Sequence, residues 1–361
     1  MITKRRRAAI AVVISTTIGA VVALSAIIAV GSVGRSNAAA AAVSAGPGVS
    51  ISPATVATQT GVTNVPVLTY HEMNNGCAAT AAICNATDPE SVSTAQFTNE
   101  MNYLVSAGYH TISLGQYEAW LGNPDTRLPQ KPILLTDDNG IANFLLGAQP
   151  ILATHAFTMT AFIVTGFADG ASGICQPHLT VAGHRYDVQP GCGTANRGWD
   201  LTWAQLKALN PGVYSFALEA GPSGHFVQNY SATCAMFDAC MIPGETTREY
   251  QARVSDEITS GLAQLNSELP GRVTGDAWVV PYSDLGYPQC AQSQCTPNAS
   301  SGPAGWLSAY AAAHFSAVFV EDAFRNGVQN ERFRFDVNGS VTESQFETQL
   351  QAFVSAGSFN H

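Results

Sequence analysis

The stretch PILLTDDNG, residues 132–140, ends an apolar run on two acids, an amide and a glycine. A turn leading into a helix needs one Asx side chain to cap free N–H groups and a glycine to ease the chain round. The adjacent pair Asp137 and Asp138 exceeds that need: one acid suffices for a cap, and the other is a candidate for taking a proton from water or holding a cation. Residues of similar chemistry follow other apolar runs. Tyr70-His71-Glu72 ends one, Glu219 ends another with His225 shortly after it, Pro281-Tyr282-Ser283-Asp284 ends a third, and Glu321-Asp322 a fourth. Each also has a plainer reading. A strand-end histidine such as His71 is often a packing residue, His225 in its glycine-flanked loop is either a metal ligand or a surface residue, and Glu219 needs a cation or a donor as partner. His178 and His184 read as surface residues. No GxGxxG, P-loop or GxSxG pattern occurs.

The elements that must bring these residues together are short β-branched or aromatic runs at 66–70, 109–114, 132–136, 159–165, 213–219, 276–282, 317–321 and 332–337. Stretches with helical spacing lie between them at 94–107, 140–155, 202–209, 246–269, 305–313 and 342–356. Strands alternating with helices specify a parallel sheet, and seven or eight such units in one chain close more readily into a (β/α) barrel than they stay open. In such a barrel chemistry gathers at the carboxyl ends of the strands, and that is where the polar residues above fall.

The 361 residues are 46% apolar and 12% charged, enough for a substantial core. Residues 1–37 stand apart. The cluster Lys4 to Arg7 precedes 26 uncharged residues, Ala8 to Val33, long enough to cross a bilayer as a helix. The small residues Ser36-Asn37-Ala38 also suit a signal peptidase. Export is expected, with the segment either cleaved or kept as a membrane anchor. Residues 38–63, rich in Ala, Ser, Thr and Gly, read as a tether, leaving 64–361 as the folded domain. Without the five basic residues of the leader region (Lys4, Arg5, Arg6, Arg7 and Arg35), 11 basic residues face 26 acidic ones, a net charge of −15. Nucleic acid and other polyanions are thereby disfavoured as partners. Eight cysteines fall as four near neighbours, Cys77/Cys84, Cys175/Cys192, Cys234/Cys240 and Cys290/Cys295, and in an exported chain read as disulfides closing short loops.

Taken in order, VPVLTYHEM, FTNEMNYLVSAGYHTISLGQYEAWL, LPQKPILLTDDNG, GAQPILATHAFTMTAFIV and AWVVPYSDLG resemble the motifs of NodB-type polysaccharide deacetylases (carbohydrate esterase family four), in particular the subgroup with a Tyr-His near its start. The likeness runs from about Val65 to Phe353. It implies a distorted (β/α)7–8 barrel that removes acetyl groups from N-acetylated sugars, with an N-acetylated polysaccharide or peptidoglycan as partner. It further implies a divalent, zinc-like metal that lowers the pKa of a bound water from about 16 to about 7, a carboxylate base, an oxyanion-binding main-chain N–H and a histidine acid.

Carried over position by position with Gly140 as anchor, the resemblance makes Asp138 the base and places Asn139 where the family has its metal-binding aspartate. His71 matches the general acid. His225 matches the second histidine of the family's His-x-x-x-His motif, while the first falls on Gly221. Tyr282 keeps the position whose main-chain N–H faces the oxyanion, followed here by Ser283. Glu219 is a further oxygen donor for a cation. Sliding the first motif by one residue would instead make Asp137 the base and Asp138 a ligand, at the expense of the ungapped match. Because Asn is a weak ligand and Gly is none, a second reading of a different class stands beside the hydrolase: a catalytically silent carbohydrate-binding protein on the same scaffold, with Trp199, Trp203, Trp278 and Tyr287 offering stacking faces.

Overall fold

Alternation within the apolar runs decides which way each strand faces. In the computed structural model, which describes residues 56–74, 90–168, 178–181, 184–187, 200–222, 245–281, 303–321 and 331–356, the eight expected runs form eight parallel strands. They are β1 (Val67–Tyr70), β2 (His110–Thr111), β3 (Pro132–Asp137), β4 (Met159–Val164), β5 (Tyr214–Ala220), β6 (Val273–Val279), β7 (Ala317–Glu321) and β8 (Glu331–Asp336). Going round, β1 pairs with β3, then β4, β5, β6, β7 and β8 follow, and β8 pairs back onto β1, Phe335 against Leu68. The sheet is thus a closed barrel of seven strands. The eighth, β2, lies alongside the start of β3 at Pro132 and Ile133, below the point where β4 takes over at Thr136 and Asp137.

Alternate residues of these strands fill two layers. Val67, Leu134, Phe162, Ala217, Val279 and Phe319 pack together in the barrel interior. Leu68, Ile133, Leu135, Ile163, Leu218 and Val320 face outward and are buried against the helices. Because β1, β3 and β4 are covered on both faces, their runs read as continuous apolar segments rather than as an alternating pattern.

Besides a single turn at Thr165–Ala168, the helices among the described residues are α1 (Thr94–Ser106), α2 (Leu114–Gly122), α3 (Ala142–Thr154), α4 (Trp203–Ala208), α5 (Thr247–Glu268), α6 (Pro303–His314) and α7 (Glu343–Ala356). Six match the helical spacing of the sequence within a few residues. The seventh, α2, was not expected: it begins at the last residue of the strand expected at 109–114, where Ser113 and Gln116 form a reciprocal capping box that starts a helix. Its Leu114, Tyr117 and Trp120 join the interior cluster and close the amino-terminal end of the barrel. Trp120 Nε1 donates to the carbonyl of Val62 at 2.8 Å. Thr58–Gln59 pairs with Leu128–Pro129. Residues 58–63, which composition assigns to the tether, are therefore tied to the folded unit by a strand pair and a buried valine, features too short to stand out in a Ser/Thr/Gly-rich stretch.

The expected leader and all eight cysteines lie outside the described residues. Among the described residues, no helix is long and apolar enough to cross a membrane.

Candidate active site

The acids at the end of β3 part company. Strand alternation sends Asp137 outward with Ile133 and Leu135, and Asp138 inward above Leu134 and Thr136. Inside the barrel the Asp138 carboxylate meets Arg334 of β8, which grips both its oxygens at 2.6 Å. The side chains are only 4% and 1% exposed, so this is a fully desolvated fork. Arg334 also donates to Thr69 Oγ1 at 2.9 Å and to Thr136 Oγ1 at 3.4 Å. The sequence reading took residues 332–337 as a strand and gave Arg334 no role. An arginine on an inward position of a buried strand demands a counter-charge, and that was the available signal.

His71, just past the end of β1, lies against the same carboxylate. Its Nε2 is 3.6 Å from Asp138 Oδ2 and 3.7 Å from Glu321 Oε1, and its Nδ1 is 3.5 Å from Asp336 Oδ1. Burial disfavours the imidazolium, but Asp336 at Nδ1 and the charges of Asp138 and Glu90 outweigh it and hold the pKa of His71 well above the ordinary histidine value. The charged form of His71 is therefore favoured. Burial alone would raise Asp336; the neighbouring His71, helped by Asn338 and Arg334, holds it below the usual carboxylate range. Glu321 is raised, chiefly by burial, with His71 and Arg334 pulling the other way. Glu321 was expected on this rim without a role, and Asp336 was not singled out.

Asp137 is fully buried, and neither of its carboxyl oxygens has a hydrogen-bond partner among the described residues. Burial, followed by the charge of Asp138, pushes its pKa well above the ordinary value and so favours its neutral form. On the outward face, it is poorly placed for the alternative register that would make it the base. Neither acid serves as a helix cap: α3 starts from Ile141 with no side-chain cap bond. Four other helices carry reciprocal Ser/Thr–Gln/Glu boxes: α2, α4 and α5, and α7 through Thr342 and Gln345.

The turn after Asp138 is held from the neighbouring strand. Asn139 adopts a left-handed conformation (φ 70°), which asparagine tolerates better than most residues. Its backbone N–H donates to Glu219 Oε2 at 2.6 Å, and the Glu219 carbonyl accepts from Trp278 Nε1 at 2.7 Å. Glu219 thus stands at the carboxyl end of β5, as expected, and pins the turn. Leu201 N–H donates to the Gly140 carbonyl at 3.1 Å, and Asp200 bridges to Ile141. Asp200, which sequence reasoning missed, has its pKa raised to about 7 by burial and by the charges of Glu219 and Glu72.

His225 and Tyr282 lie outside the described residues, as do Trp199 and Tyr287. Trp278 is fully buried and Trp203 nearly so, both in the outward core, so neither offers a free face to a sugar ring. Gly221, where the resemblance would place a metal-binding histidine, has no room for any side chain. A Cβ there would lie 2.1 Å from the carbonyl oxygen of Glu257 on α5.

His71, Asp138 and Glu321 each offer a donor atom, all within 4.8 Å of one another, spacing compatible with a bound cation. The chemistry of this set, however, suits a proton rather than a divalent metal. A metal needs a neutral imidazole, whereas the neighbours of His71 favour its charged form, and Arg334 sets a positive charge directly against the Asp138 carboxylate. Among the described residues the donors do not fit a divalent metal.

No family model matches the sequence, and no curated protein is similar to it. Solved structures share its fold. A de-N-acetylase from Aggregatibacter actinomycetemcomitans superposes with a TM-score of 0.56 at 16% identity, covering 79% of this chain and 98% of that one. The Streptococcus pyogenes deacetylase PplD, solved in complex with acetate, gives 0.50 at 15% identity over 82% and 99% of the two chains. IcaB from Ammonifex degensii gives 0.50 at 17% identity over 82% and 97%. The chain therefore has the barrel fold found in solved deacetylases.

Proposed function

We propose that this protein is an exported hydrolase that cleaves the acetamide C–N bond of an N-acetylated polysaccharide or peptidoglycan. The observation that carries the reading is the contact between a buried carboxylate and a protonated imidazole, Asp138 and His71, 3.6 Å apart at the carboxyl rim of the barrel. The likeness of fold to solved de-N-acetylases supports it.

In this reading Asp138 takes a proton from the attacking water, and Arg334 fixes the direction in which that carboxylate faces. His71 supplies the proton that lets the amine leave, which is why a histidine kept charged by its neighbours suits the task. Tyr282, by resemblance, offers a main-chain N–H to the tetrahedral oxyanion. If a divalent metal takes part, His225 and Asn139 are the positions the resemblance offers for it, and no step above depends on it. The basic cluster and the uncharged stretch of residues 8–33 support export.

The silent carbohydrate-binding reading is favoured by Gly221, which cannot carry a ligand. One experiment separates the two. The full chain is incubated with N-acetylglucosamine oligomers or peptidoglycan, with and without a chelator, and acetate is measured. Release that vanishes in Asp138→Asn and His71→Ala establishes the hydrolase. Oligomer binding without release under any added divalent ion leaves the binding protein.

A further inference from the structure

The two carboxylates beside His71 Nε2 are not equivalent. Asp138, at 3.6 Å, is buried and has both oxygens in the Arg334 fork. Glu321, at 3.7 Å, is 28% exposed and stands at the carboxyl end of β7. Any group that receives a proton from Nε2 must come within hydrogen-bond reach of it, and it then lies beside the Glu321 carboxylate as well.

We infer that Glu321 is a specificity-determining residue that recognises a primary ammonium, so that the site binds the de-N-acetylated amino sugar in preference to its N-acetyl form. This deepens, and rests on, the hydrolase reading. The proton balance shows why such a group is needed. Water gives one proton to Asp138 and its hydroxyl to the acyl carbon. As the C–N bond breaks, its electron pair passes to nitrogen, which takes the proton from His71 Nε2. The immediate products are acetic acid and a neutral amine, and transfer of the acid's proton to the amine yields acetate and an ammonium. The proton on Asp138 then returns to His71. At the end of the cycle His71 is a cation again, and the sugar nitrogen, about the length of one hydrogen bond away (roughly 3 Å), carries a new positive charge of its own. Glu321, beside His71 Nε2, lies within reach of that nitrogen and offers the new charge a counter-ion. The acetamide of the substrate is neutral and gains nothing from it, which is the physical basis for discrimination.

The test uses the full chain and two probes, a glucosamine trimer and an N-acetylglucosamine trimer, with binding measured by calorimetry at about pH 6, where the primary amines are charged. Wild type is expected to bind the amine trimer about tenfold more tightly than the acetylated one, a difference lost in Glu321→Gln and partly restored in Glu321→Asp. Affinity for the acetylated trimer should be the same in all three, which also shows that the variants are folded. Acetate release by wild type is measured in parallel. Amine preference together with release supports both readings. Preference without release upholds the role of Glu321 and sinks the hydrolase. Equal affinity of wild type and Glu321→Gln for the amine trimer overturns the role of Glu321, whether or not acetate is released.

Discussion

Arg334 is the residue on which the architecture of the site can be tested most directly. Replacing it with Met keeps most of the stem that packs over Phe162, whose ring centre lies 6.0 Å from the guanidinium carbon. What is removed is the positive charge that grips Asp138 through two contacts of 2.6 Å in surroundings where both side chains are at least 96% buried. Charges about 4 Å apart at an effective dielectric near 20 interact by about 4 kcal/mol. Breaking a buried pair from one side costs about 3–5 kcal/mol, because the remaining charge is left without a counter-ion. Guanidinium unfolding of Arg334→Met should therefore show a loss of about 3–5 kcal/mol relative to wild type. The double variant Arg334→Met/Asp138→Leu should recover most of that loss, since apolar replacement of both partners is often neutral. Asp138→Leu alone should cost about as much as Arg334→Met, so the cycle should show a coupling energy of at least about 3 kcal/mol, at or above the top of the range for residues in contact. A loss below about 1 kcal/mol in the single variant, or simple additivity in the double, would refute the claim that a desolvated ion pair organises this rim.

Three further predictions concern the surroundings of the site. Gly221→His places a Cβ against the Glu257 carbonyl and should destabilise the fold by about 1–3 kcal/mol or more in thermal unfolding, without adding zinc affinity in a metal titration. Glu100, in the outward layer, accepts hydrogen bonds from Tyr70 at 3.0 Å and Gln96 at 2.9 Å, and burial raises its pKa from 4.5 to about 7. Its protonated form is favoured in the folded state, so its contribution is complete below about pH 4.5 and is lost as pH rises toward 7, by about 3 kcal/mol in all. Unfolding measured between those pH values should show that decline in wild type and not in Glu100→Gln. Asp137, also raised by burial, acts with the same sign: stability associated with it is present at low pH and falls as pH rises. Asp137→Leu should therefore be more stable than wild type at neutral pH by denaturant unfolding and show a flatter dependence on pH.

The fold was legible because the apolar runs are short, β-branched and regularly separated, and β1, β3 and β4 are buried on both faces. Helix α2 was hidden because it is only 9 residues long and contains two poor helix formers, Gly115 and Gly122, so its stripe of Leu114, Tyr117 and Trp120 is too short to stand apart from the strand before it. His71 and Asp138 could be found because each breaks an apolar run at its carboxyl end. Arg334 could not be paired with Asp138 from sequence, since 196 positions separate them and only the closing of β8 onto β1 brings them together. Asp336 was obscured for the same reason. The outward turn of Asp137 was a matter of strand parity, and parity becomes informative only once it is known which of the neighbouring apolar residues face the helices.

The contact between the end of β5 and α5 carries an evolutionary corollary. A Cβ on Gly261 would come within 2.8 Å of the Gly221 Cα, just as one on Gly221 would strike the backbone of Glu257. Strand and helix meet where two glycines, Gly221 and Gly261, face each other. Introducing a ligand at 221 would require the helix to withdraw, and withdrawal alone would open a void that lowers stability. A coordinating side chain at 221 therefore needs a compensating change in α5 before the rim can use it.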